Sequence, residues 1–119
     1  MTKSYREITA RISAGTAKLR QAAPEAMNGF YAMSKGATSA GALSELEKEL
    51  IALAIGVSTR CDGCIGFHAK ALARLKATRE QVMETLAVAV YMGGGPALMY
   101  AADAVHAFDE FSGGIAQGT

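Results

Sequence analysis

The sequence predicts an all-α fold, a single-domain bundle of about six helices over residues 1–119. Three observations carry that expectation. Apolar residues recur at helical spacing through each periodic segment, and no run alternates as a half-buried strand would. Ser44 to Glu47 and Thr78 to Gln81 have the form of capping boxes, in which a hydroxyl and a Glu or Gln side chain satisfy the two ends of a first helical turn. The two prolines, Pro24 and Pro96, stand where a helix can open.

The first helix is expected over 5–22, with Ile8, Ile12 and Leu19 on one side. Pro24 opens a second, carrying Met27, Phe30, Tyr31 and Met33, and the small residues 36–41 dissolve it into a loop. The third follows Ser44. Its stretch 50–57 is apolar all the way round, which implies a central helix surrounded by protein. A fourth begins near Cys61 and runs to about Leu75. The fifth starts at Thr78, carries Val82, Met83, Leu86 and Val90, and stops at Gly93-Gly94-Gly95. Pro96 opens a sixth, with Leu98, Met99, Ala102, Val105 and Phe108 inward. Residues 112–119 read as a frayed tail. The stretch 85–102 carries no charge, but the glycines and Pro96 split it into halves too short to span a bilayer. Two buried helices are expected, and no membrane partner.

Half of the residues are apolar and 19% are charged. A small domain has too much surface to hide that apolar share alone, so burial between subunits is expected. A net charge of +1, with no basic run, argues against nucleic acid as a partner. No apolar segment follows the N-terminal charges, so no secretory signal is expected and the cytoplasm is the expected compartment. In such a reducing compartment, a pair of cysteines two residues apart serves redox or metal chemistry more often than architecture.

That pair, Cys61-Asp62-Gly63-Cys64, contains both cysteines of the chain. At about 100° per residue, Cys61, Cys64 and His68 lie within roughly 60° of one another on the fourth helix. Cys61 falls in or just before the first turn, where unsatisfied N–H groups and the helix dipole favour a thiolate. His68, one turn after Cys64, can exchange a proton with that sulfur. Glu49 belongs to the acidic first turn of the third helix and flanks the stripe Leu46, Leu50, Leu53 and Val57. The spacing permits it either a solvated position or one at the edge of the core.

The pattern Glu49, eleven residues, Cys61-x-x-Cys64, three residues, His68, followed by a helix and a glycine break, resembles the AhpD-like alkylhydroperoxidases of the carboxymuconolactone decarboxylase family. The similarity covers roughly 43–111, the motif-bearing core. The resemblance implies an all-helical subunit assembled as a homohexamer, a trimer of dimers. It also implies a hydroperoxide substrate and a dithiol reductant, possibly of lipoyl type in the family's manner, with no cofactor or metal. By the same resemblance Cys64 is peroxidatic, Cys61 resolves it, and Glu49 and His68 relay protons. One position departs: AhpD carries a histidine between its thiols, where this chain has Gly63. The family's true decarboxylases lack the dithiol, so a lyase of that kind is a weaker reading.

Two other readings use the same residues. Cys61, Cys64, His68 and a carboxylate could make a four-coordinate zinc site. Alternatively, a non-catalytic assembly module or redox sensor could keep the dithiol without turnover. A thioredoxin-like enzyme needs a β-rich context that this chain lacks, and a c-type haem site needs histidine directly after the second cysteine, where Ile65 stands. Arg60 before the fourth helix reads as solvated, and His106 beside Asp103 as structural.

Overall fold

The computed structural model describes residues 3–113 as five helices, with no strand among them. They are α1 (Tyr5–Ala22), α2 (Pro24–Thr38), α3 (Glu45–Ser58), α4 (Asp62–Arg74) and α5 (Arg79–Phe111). Both expected capping boxes form: Ser44 with Glu47 opens α3, and Thr78 with Gln81 opens α5. The Ser4 hydroxyl caps α1 by accepting from the Glu7 N–H. The part of the expected tail beyond Gly113 lies outside the described residues.

Two expectations need correction, the extent of α2 and the pattern of burial. The break expected between a fifth and a sixth helix lies inside α5, where Gly94 leaves the helical region at φ 70° and ψ −151° and kinks the axis. Pro96 has no N–H to give to residue 92 and its ring crowds that carbonyl, a misfit that the bend at Gly94 absorbs. A side chain at Gly93 would meet the Ala97 Cβ at 2.6 Å, so the absence of one lets the bend close. The second helix also runs further than expected, through Gly36 to Thr38, before the loop over 39–44.

The second correction concerns burial. The core gathers Tyr5, Leu53, Val57, Ile65, Leu72 and Phe108, all essentially inaccessible. On the C-terminal half of α5, however, the inward line is Ala97, Ala101, Ala104 and Ala107, while Leu98 and Met99 are exposed. Small residues let that helix approach α3 and α4 closely, which leaves the bulky ones outside. On the first half, Tyr91 is 83% exposed and Met92 75%. On α3, Ile51 and Ile55 are exposed too, so its apolar circumference is covered on one side only. By length and composition alone α5 could cross a membrane. Its broken axis and its row of buried alanines belong to a helix packed within this bundle.

The N-terminus of α1 is bolted to the C-terminal end of α5. Glu110 accepts from the Tyr5 N–H (2.8 Å), the Ser4 hydroxyl (2.9 Å) and the Arg6 N–H (3.2 Å). A carboxylate at a helix N-terminus also meets the positive end of the dipole. Burial pushes the Glu110 carboxyl up, but the hydrogen bonds and the nearby His106 outweigh it and hold the group below its ordinary value of 4.5. A folded-state value below the unfolded one makes the contribution to stability full above that ordinary value, and the contribution is lost as pH falls through the folded value. Glu110→Gln should therefore cost about 1–2 kcal/mol at neutral pH and much less near pH 3, as read by urea unfolding at the two pH values. Equal losses at both would contradict the linkage.

Candidate active site at the start of α4

The site is built by the turn that joins α3 to α4. At the end of α3, the Arg60 N–H donates to the Val57 carbonyl (3.2 Å) and the Cys61 N–H to the Gly56 carbonyl (3.0 Å). This paired closure is a Schellman motif, and it needs a left-handed residue. Arg60 supplies it at φ 57°, at a cost of about 1 kcal/mol for a residue with a Cβ. Arg60 is thus placed by backbone geometry, and it is exposed.

Cys61, which ends α3 through its N–H, begins α4 through its side chain. It is the N-cap of α4, and its Sγ accepts from the Cys64 N–H at 3.1 Å. A serine or aspartate usually fills that role, satisfying one of the orphan N–H groups of a first turn. The two cysteines are joined as a disulfide, with Cα atoms 5.2 Å apart. Both are half-buried.

Three glycines let neighbouring elements reach this turn. A Cβ at Gly56 would lie 3.0 Å from the Cβ of Cys64, so the bare backbone of α3 lets α4 seat its second cysteine. One at Gly66 would meet Thr9 at 2.7 Å and Tyr5 at 3.3 Å, where α1 crosses α4. One at Gly63 would meet the Ile12 Cδ1 at 2.8 Å. The position at which AhpD carries its extra histidine is therefore roofed by α1 in this chain.

Glu49 is buried on the inward side of α3, only 7% exposed, in line with Leu53 and Gly56. It reaches across to α4, where His68 Nδ1 lies 2.7 Å from its Oε1. The two positions left open by spacing are thus decided in favour of the core edge. A carboxylate is acceptor only, so with Glu49 ionised the shared proton sits on Nδ1 and the other ring nitrogen, Nε2, is left to gain or lose one. Glu49 and His68 thus form a hydrogen-bonded pair one helical turn from Cys64.

These positions bring all four expected residues to the α3–α4 contact. Sequence reasoning did not find Asp62, Lys3, Tyr5 and Asp103, which cluster beside the first turn of α4. Their ion pairs join residues 59 or more positions apart, with no local signal to announce them. His106 is structural as expected, its Nε2 donating to the Lys3 carbonyl at 2.7 Å. As to the zinc reading, no group of three or more His, Cys, Asp or Glu side chains among the described residues converges as a metal site would require. The sulfurs face one another and His68 faces Glu49.

The model of the carboxymuconolactone decarboxylase family matches residues 24–107, which span both site helices and most of α5. The chain belongs to that family. A crystal structure of an apo carboxymuconolactone decarboxylase family protein from Legionella pneumophila superposes with a TM-score of 0.90 at 54% identity, covering 91% of this chain and 96% of that one. An uncharacterized protein of Cupriavidus necator is 43% identical over 109 residues, or 92% of this chain and 96% of its own length. A protein described as uncharacterized protein 4 in the cox locus of Paracoccus denitrificans is 37% identical over 103 residues, covering 87% and 93%. Within the family, this member combines an all-helical subunit with a cysteine pair at disulfide distance.

Glu49→Gln preserves shape and removes the charge facing His68. The expected result is a roughly tenfold slower reaction of the reduced cysteines with an alkylating reagent at neutral pH, together with a displaced pH–rate profile. A profile superimposable on the wild type would take Glu49 out of the proton path.

Proposed function

We propose that this family member is a dithiol-dependent hydroperoxide reductase, an alkylhydroperoxidase of the AhpD-like kind. The observation that carries the reading is the cysteine pair closed across the first turn of α4, next to a buried carboxylate–imidazole pair.

The Cys64 thiolate attacks the O–O bond of a hydroperoxide. Its sulfur gains an oxygen and becomes a sulfenic acid, and the departing alkoxide takes a proton from His68, leaving as an alcohol. Glu49 holds the ring that gives this proton through its contact with Nδ1. The Cys61 thiol then condenses with the sulfenic acid, forming the disulfide and releasing water. A dithiol reductant, lipoyl-type by the family resemblance, attacks the disulfide, and its two electrons restore both thiols while it closes to its own disulfide. The Cys64 N–H at the Cys61 sulfur and the helix N-terminus make Cys61 the better leaving group in that exchange.

The proposed working form is a homohexamer in the cytoplasm. Its support is the set of large apolar side chains left uncovered in one subunit: Ile51, Ile55, Val88, Tyr91, Met92 and Met99. They lie on α3 and on either side of the bend in α5, and α2 buries no residue of its own in the subunit. Sedimentation equilibrium should give six subunits per particle; a stable monomer at micromolar concentration would overturn the assembly.

Cys64→Ser should abolish hydroperoxide reduction supported by a dithiol donor. Cys61→Ser should accumulate a sulfenate on Cys64, trapped by a dimedone-type reagent and located by mass spectrometry. Trapping on Cys61 in Cys64→Ser, with none on Cys64 in the reciprocal variant, would reverse the assignment of the two sulfurs.

A further inference from the structure

The N-terminal arm of the chain lies against the redox turn and is held there by more than chance contact. The Lys3 carbonyl accepts from His106 Nε2 at 2.7 Å, and the next three residues bind Glu110. From this anchored backbone, Lys3 Nζ reaches both oxygens of Asp62 at 3.2 Å and Asp103 Oδ2 at 3.0 Å. It also stands 5.7 Å from the centre of the Tyr100 ring. The fully buried Tyr5 directs its hydroxyl to Asp62 at 3.4 Å. Asp62 is the first helical residue of α4 and is bonded directly to Cys61.

We propose that Lys3 is a positioning and charge-compensating residue that sets the redox poise of the Cys61–Cys64 pair through Asp62. The inference rests on the redox reading above and deepens it. A carboxylate next to Cys61 repels a thiolate there, which disfavours the reduced, ionised form of the pair. An ammonium bound to that carboxylate cancels much of the repulsion. Asp62 itself is kept in the first turn by its pairing with Lys3 and Tyr5, where its charge meets the same N–H groups that serve the Cys61 sulfur. The arm thus adjusts the leaving ability of Cys61 without touching the reacting atoms.

The protonation states agree with this arrangement. Hydrogen bonding to Asp103 does most to hold the Lys3 ammonium charged well beyond its ordinary range; burial opposes it, and the lesser bond to Asp62 adds to it. Burial, reinforced by the charges of Asp103 and Asp62, keeps the Tyr5 phenol protonated and able to donate.

Lys3 and Asp62 are each about two-fifths exposed, so water and salt screen the effect. The expected shift is correspondingly modest. Wild type and variants are equilibrated with reduced and oxidised dithiothreitol, and the dithiol fraction is read by thiol-specific mass tagging. Each exchange moves two electrons and two hydrogens from the reagent to the Cys61–Cys64 disulfide. Lys3→Met should make the pair harder to reduce, by about two- to fivefold in the equilibrium constant, or about 10–20 mV. Asp62→Asn should make it easier to reduce by a similar factor. Lys3→Arg should restore the wild-type value, and both shifts should shrink as salt is raised.

The opposed signs separate charge from structure, because either neutral substitution breaks the same ion pair. Shifts of one sign in both variants, or none in either, would overturn the proposal while leaving the peroxidase reading intact. A wild-type pair that never exchanges with the reagent would overturn both.

Discussion

The molecule depends on a single turn in which one residue belongs to two helices. The Cys61 amide closes α3 and the Cys61 sulfur opens α4, so one half of the disulfide is also the joint. A sulfur held this way has little freedom to wander when the disulfide opens. Reduction costs the chain one covalent link but leaves the backbone closure of α3 in place, because Cys61 N–H to Gly56 uses no side chain. In the proposed chemistry, that separation lets the dithiol cycle without remodelling the bundle. It also explains the crowding around the turn, since Gly56, Gly63 and Gly66 each let a neighbouring element approach to within contact.

Carboxylates with buried or half-buried positions tie the remaining elements to this joint. Glu49 crosses from α3 to His68 on α4, Asp62 links α4 to the N-terminal arm, and Glu110 links the arm to the end of α5. Each such acid would be a liability if unpaired, because desolvating a charge without compensation costs several kcal/mol. Among the described residues no buried side-chain polar atom lacks a hydrogen-bond partner. The same acids therefore orient groups around the cysteines while satisfying the ends of the helices they touch.

Local signals were legible in the sequence and long-range ones were not. The bounds of α1 follow from apolar spacing, and the starts of α3 and α5 from capping boxes whose partners are three residues apart. The cysteines and His68 share a face because one helix carries all three. Glu49 could not be placed by spacing, since its destination depends on how α3 leans on α4. The Lys3–Asp62–Asp103 cluster was invisible for the same reason, as its members meet only after α1, α4 and α5 have packed. Apolar content misled on burial: the runs in α3 and α5 are hydrophobic all round, yet one chain covers only one side of each. Composition records that a surface must be hidden, not by what.

Gly63 makes the division of labour within the proposed chemistry more definite. A histidine at this position would have to displace Ile12, which α1 holds over the turn. The same helix packs Tyr5 and Thr9 over Gly66, one turn further along α4. In this chain an aliphatic side chain, that of Ile12, lies against the bare Gly63. Proton delivery to the leaving oxygen then rests on the single His68–Glu49 pair. Charge adjustment at the other sulfur falls to Asp62 and the arm that binds it. Both functions meet on α4, which carries Asp62 in its first turn and His68 further along, and they draw their second partners from different elements, Glu49 from α3 and Lys3 from the N-terminal arm.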